Sequence, residues 1–127
     1  MQISIPEAFA NVLRPVYREL KHEECFFWGG LNKANRIIQK EMLFKGGPIS
    51  TILDVKTIVR KALLYSSSAV IISHYHPYGS ANPSPADIEQ TDTLYKALKY
   101  MEISLLDHVI ICEDSFYSLM EQESNNF

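Results

Sequence analysis

His74 and His76 stand two residues apart at the end of the apolar run 69–73. Side chains alternate along a strand, so both imidazoles can point to the same side. Two imidazoles on one side begin a zinc site. The loop after them carries Pro77, Gly79 and Pro83, which let the chain reverse, and Asp87 falls in the first turn of the next helix. Asp87 can thereby bring its carboxylate back to the two rings. Two His and one Asp fill three positions of a tetrahedral ion. The fourth is left for water, as in a catalytic rather than a structural site. Zn2+ is the expected cofactor, although iron, nickel or manganese also suits such nitrogen and oxygen donors.

A plainer reading competes with this one. Ser84, Pro85, Ala86 and Asp87 also make a good helix start, with Ser as N-cap, Pro at the first helical position and an acid three residues after the cap. A single His at a strand end is more often a hydrogen-bonded structural residue. Capping alone does not explain why two same-facing His, a cap Ser and an Asp all fall within residues 73–87.

The same residues carry a resemblance. His74, His76, Ser84 and Asp87 match the His-x-His, Ser, Asp pattern of the JAB/MPN/JAMM metalloprotease superfamily. The segment HYHPYGSANPSPAD resembles the HNHPSGxxxPSxxD motif of the RadC branch. MLFKG at 42–46 is similar to that family's VLFRG strand, LLDHVII at 105–111 to its LLDHIII, and FYSL at 116–119 to its YYSL. The likeness runs from about Glu24 to Glu121. It implies a single JAB/MPN-type α/β domain over 1–127, with a central mixed β-sheet flanked by helices in a cytidine-deaminase-like arrangement. It also implies metal held by His74, His76 and Asp87.

In that superfamily an upstream Glu acts as general acid/base. The opening Glu-x-Phe of the RadC first strand matches Glu24, Cys25 and Phe26, which makes Glu24 the first candidate. Glu23 and Glu41 are the others. The implied function is zinc-dependent hydrolysis of an amide or isopeptide bond by a metal-activated water, with Ser84 donating to the oxyanion. A protein or peptide is the implied substrate. The alternative is a DNA repair or recombination accessory protein with a structural or vestigial metal site and a DNA-associated partner. A scaffold without chemistry is disfavoured by the intact His, His, Ser and Asp set.

The chain departs from the RadC pattern in three places. Tyr75 replaces the usual Asn and Tyr78 the usual Ser, so two phenols are expected to narrow the cleft mouth or to form platforms for substrate. Gly29 and Gly30 fall where the family's first strand is bulky, so that strand is expected to end early. The chain reads as a short form without the helix-hairpin-helix region of longer RadC proteins. His22 and His108 are expected to be structural, with one of Asp107 and His108 facing the core and the other facing out.

Periodicity supplies the elements that must position these groups. A helix is predicted over 6–21 from Phe9, Val12, Leu13, Val16, Tyr17 and Leu20. A strand at 24–28, a polar turn at 32–35 and a strand at 37–44 form a hairpin, closed by Gly46, Gly47 and Pro48. Asp54 caps a helix reaching Tyr65, and 69–73 is a strand. A helix over 85–101 presents Ile88, Thr91, Tyr95, Leu98 and Met101. Strands follow at 105–112 and 116–120, and the polar tail from Glu121 is expected to fray. The order suggests one mixed sheet flanked by helices.

Composition bounds the rest. A chain of 127 residues can bury roughly two thirds of the surface its unfolded form exposes. It is 46% hydrophobic and 21% charged, which is too apolar for disorder. A formal charge of −3 argues against broad electrostatic binding of nucleic acid. No apolar run exceeds four residues and the N-terminus lacks a signal-peptide pattern, so no membrane association and a cytoplasmic location are expected. Cys25 and Cys112 sit in apolar segments and are expected to be buried thiols. A homodimer stays open.

Overall fold

Short apolar strands alternate with amphipathic helices along the chain, and the folded result is a sheet covered on both faces. The computed structural model describes residues 5–19, 25–45, 53–76 and 81–123. The elements are α1 (Ile5–Glu19), β1 (Cys25–Leu31), β2 (Ile37–Lys45), α2 (Val55–Leu64), β3 (Ala69–Tyr75), α3 (Pro85–Tyr100), β4 (Ser104–Ile111), β5 (Phe116–Ser118) and α4 (Leu119–Gln122). The sheet order is β2-β1-β3-β4-β5. Among the described strands the β3–β4 pair is parallel, joined through α3, and the other pairs are antiparallel. This is the expected mixed α/β domain.

Strand alternation divides the core in two. Phe9, Leu13 and Tyr17 of α1 pack with Phe27, Ile71, Tyr75 and Val109 on one side. Ile58 and Ala62 of α2 and Leu94 and Leu98 of α3 pack with Trp28, Val70, Ile72 and Leu105 on the other. Because helices cover both faces, every residue of β3 is buried. Its unbroken apolar reading follows from that position. Asp54 caps α2 by accepting from the Thr57 N–H, as expected. At the hairpin turn, Asn32 Oδ1 accepts from the Ala34 and Arg36 N–H groups, and Asn35 takes a positive φ of 59°. Cys25 and Cys112 are buried thiols, as expected. No described helix is long and apolar enough to cross a membrane.

Several boundaries differ from expectation. β1 does not end at its glycines but continues to Leu31, paired on both sides. A Cβ on Gly29 would stand 3.2 Å from Ile71 Cγ2 and 3.3 Å from the Phe9 ring, and one on Gly30 would collide with Ser67 Oγ. The glycines therefore admit close neighbours rather than breaking the strand. The last strand stops at Ser118, whose Oγ accepts the Glu121 N–H and starts α4. Glu121 and Gln122 thus belong to a helix, and 124–127 lie outside the described residues. On α3 the buried positions are Thr91, Leu94 and Leu98, while Met101 is half exposed at the C-cap. Val12 and Leu63 are likewise half exposed, because each helix buries a narrower stripe than its apolar spacing suggests. The segment 46–48 and Leu20 lie outside the described residues.

Candidate metal centre

β3 carries His74 near its end, and His76 follows the strand directly, its N–H bonded to the Ile111 carbonyl of β4 at 2.8 Å. That bond continues the ladder by one residue. It keeps the alternation, so both rings turn to the same side, with their Nε2 atoms 2.8 Å apart. Asp87 comes from the first turn of α3, where Ser84 and Asp87 form a reciprocal capping box. The Asp87 N–H donates to Ser84 Oγ at 3.1 Å, and the Ser84 N–H donates to Asp87 Oδ2 at 2.8 Å. The same Oδ2 lies 3.9 Å from His74 Nε2. Capping and ligand roles are therefore not rivals here, because the cap fixes the carboxylate beside the rings.

One ligand atom each from His74, His76 and Asp87 falls within 4.8 Å of the others. His74 is buried, and His76 and Asp87 are half buried, so the cluster opens to solvent on one side. His74 Nδ1 is engaged by His108 Nε2 at 2.7 Å, which leaves Nε2 as the atom turned to the other two donors. Two imidazole nitrogens and a carboxylate suit a zinc-type cation with a position left for solvent. Burial pushes the His74 pKa down to about 4, with the neighbouring His76 adding to the fall and Asp87 opposing it. His74 is thus neutral at pH 7, the state a ligand needs.

His108 is the residue that sequence reading undervalued. It lies on β4, paired in register with Ile72 of β3, and is fully enclosed. Burial first, then His74 and His76, hold its pKa well below the ordinary value. Its Nδ1 meets Thr91 Oγ1 of α3 at 2.7 Å, and Thr91 Oγ1 donates to the Asp87 carbonyl at 2.6 Å. Asp107 does not face out either. It is 1% exposed and accepts from the His108 N–H at 2.7 Å, the Met120 N–H at 3.1 Å and the Ser118 hydroxyl. Burial outweighs these bonds and raises its pKa to about 6. The expected inside–outside split fails because both sides of β4 at these positions are covered.

Other expectations are redirected. Tyr75 is not at a cleft mouth. It is buried among α1 residues, its ring stacked 4.7 Å from that of Tyr17 and its hydroxyl donating to Glu113 at 3.2 Å. The alternation that pairs His74 with His76 sends Tyr75 the other way. Glu41 is engaged elsewhere. It pairs with Lys61 at 3.2 Å and accepts from Trp28 Nε1 at 3.2 Å. Desolvation pushes its pKa up, but the Lys61 and Trp28 bonds outweigh this and bring it down. Glu23, Glu24, His22 and Tyr78 lie outside the described residues.

A family model described as RadC-like JAB domain matches residues 3–125. The chain is 38% identical over 120 residues to a UPF0758 protein of Flavobacterium johnsoniae, covering 94% of this chain and 51% of the relative. A UPF0758 protein of Clostridium perfringens is 37% identical over 123 residues, with 97% and 54% covered. One from Thiobacillus denitrificans is 38% identical over 121 residues, with 94% and 53% covered. The chain thus spans about half the length of these curated relatives. With the sheet, the His–His–Asp cluster and a family match over nearly the whole chain in agreement, the protein belongs to the RadC-like JAB domain family.

Proposed function

We propose that this protein is a cytoplasmic, zinc-dependent hydrolase of amide or isopeptide bonds in a protein or peptide substrate. The observation that carries the reading is the convergence of His74, His76 and Asp87 at the solvent-open end of β3. His74, His76 and Asp87 would hold the metal. When bound, it would supply Lewis acidity and make water a stronger acid at neutral pH.

The chain's own groups have separable tasks. The Glu24 carboxylate accepts a proton from the attacking water and passes it to the leaving nitrogen. Glu24 directly precedes β1, whose Phe26 is registered against His74. Glu41, already spent on Lys61 and Trp28, is a poorer base. Ser84 Oγ accepts the Asp87 N–H and keeps its own proton, which it donates to the carbonyl oxygen as charge develops there.

The test combines metal content with cleavage. The wild-type chain should purify with, or take up, one zinc by mass spectrometry, and His74→Ala combined with His76→Ala should lose it. A panel of peptides and isopeptide-linked proteins should show cleavage that a chelator stops. Glu24→Gln should keep the metal and lose about 10²–10⁴-fold in rate. Cleavage unaffected by chelator, or undiminished zinc in the double variant, would refute the reading. Tight DNA binding at physiological salt, indifferent to chelator and without cleavage, would favour a repair-accessory role instead.

A further inference from the structure

We propose that Thr91 and His108 are positioning residues that set the tautomer of His74, so that its Nε2 lone pair is presented to the metal before any metal arrives. The proposal rests on the metal reading of His74, His76 and Asp87. It adds a proton-ordered chain behind the ligand, running through α3, β4 and β3.

The order of protons follows from what each atom can do. The Asp87 backbone carbonyl can only accept, and Thr91 Oγ1 lies 2.6 Å from it, so the hydroxyl proton sits between those two oxygens. Thr91 has no second proton to give. Its remaining contact, 2.7 Å to His108 Nδ1, must then be one in which the ring N–H donates to Oγ1. A neutral imidazole with its proton on Nδ1 has a lone pair on Nε2. That lone pair faces His74 Nδ1 at 2.7 Å, so His74 carries its proton on Nδ1 and donates it. His74 Nε2 is left as a lone pair, on the side where His76 and Asp87 lie.

Packing holds the chain in place. Thr91 is fully buried, and His108 is 2% exposed with its ring edge-on to Phe26 at 6.2 Å between centroids. No water is needed to complete the line from Asp87 to His74. A ligand ring that already has the right tautomer loses nothing to proton rearrangement on binding, and the acceptor behind Nδ1 makes Nε2 more basic. The chain starts at the backbone of Asp87 and ends at the ring of His74, so two metal ligands are tied together from behind.

The experiment uses the full chain with histidine ring nitrogens labelled with 15N, metal removed, at neutral pH. Wild type should give His74 and His108 both as the Nδ1–H tautomer, with pyridine-type Nε2 signals. Thr91→Val, which keeps shape and removes the hydroxyl, should give mixed tautomers at both rings. It should also weaken zinc binding about 10–100-fold in competition with a chromophoric chelator. Thr91→Ser should restore both readouts, which a purely steric role for Thr91 would not require. A wild-type spectrum with His74 protonated at Nε2 would overturn the proposal, and that measurement needs no variant to fold. Wild-type zinc affinity in a folded Thr91→Val would overturn it as well. Failure of wild type to bind zinc at all would sink the metal reading alone, since the apo spectrum still decides the proton order.

Discussion

Asp107→Asn should remove one pH-dependent contribution to stability and leave the fold intact. Asp107 titrates at about 6 in the native protein, against an ordinary value of 3.8. The native state therefore holds a proton on this group over a window in which the unfolded chain has released it. The raised pKa favours folding at low pH and is progressively lost as pH rises from about 4 to about 6. A difference of roughly two pH units is worth about 3 kcal/mol in full, and about 2 kcal/mol of it falls between about pH 4.5 and about pH 7.5. His74 and His108 titrate in the opposite sense. Their depressed pKa values supply stability that is present above about 6.5 and lost as pH falls through the native values. A single pH profile would blend these terms, so the informative quantity is wild type minus variant at each pH. The asparagine side chain in the variant retains an oxygen for the His108 and Met120 N–H groups, and its amide can donate to Ser118 Oγ, so each of the three contacts keeps a donor and an acceptor. Urea unfolding can be followed by Trp28, the only tryptophan and fully buried. At an m-value of about 1–3 kcal/mol/M, the gap between the two midpoints should widen by about 1–2 M toward high pH, in favour of the variant. Parallel profiles for the two proteins would refute the raised pKa and the burial argument behind it.

Two further outcomes are expected. Ser84→Ala should cost about 0.5–2 kcal/mol through the lost cap, yet keep zinc, because the Ser84 backbone N–H still holds Asp87; an emptied metal site in a folded variant would count against this. Glu41→Gln should lower stability by about 1 kcal/mol through the lost Lys61 pair, with any hydrolytic rate unchanged; a large rate loss would move the base from residue 24 to residue 41.

The His74, His76 and Asp87 cluster was legible because each member answers to a local rule. Strand alternation places His74 with His76, and a cap box places Asp87. The same alternation, applied one residue further, already excludes Tyr75 from the site. α4 also had a local sign, since Ser118 and Glu121 stand in the spacing of a helix start. The role of His108 had no such sign. It depends on β4 lying parallel to β3 with Ile72 opposite His108, and on α3 bringing Thr91 over that pair. Only tertiary register creates those neighbours. What the sequence did contain was a pair of polar residues inside an apolar strand, which marks a place where buried hydrogen bonds must be found. The glycines of β1 were ambiguous for a similar reason, because only the packed structure shows Phe9 and Ser67 pressing against them.

The proposed ligands and the groups behind them, His74, His76, Asp87, Thr91 and His108, all come from the stretch that runs from β3 through α3 to β4. The acid/base proposed at residue 24 lies outside that stretch. Holding an ion and moving the proton of the attacking water are therefore assigned to different parts of the chain and can vary independently. A lineage could alter the segment before β1, exchange one reaction for another or abandon reaction altogether, and still pass on an undamaged metal cradle. A bound ion in any member of such a lineage is for that reason a record of shared architecture, and the segment before β1 is where a change of occupation would be inscribed.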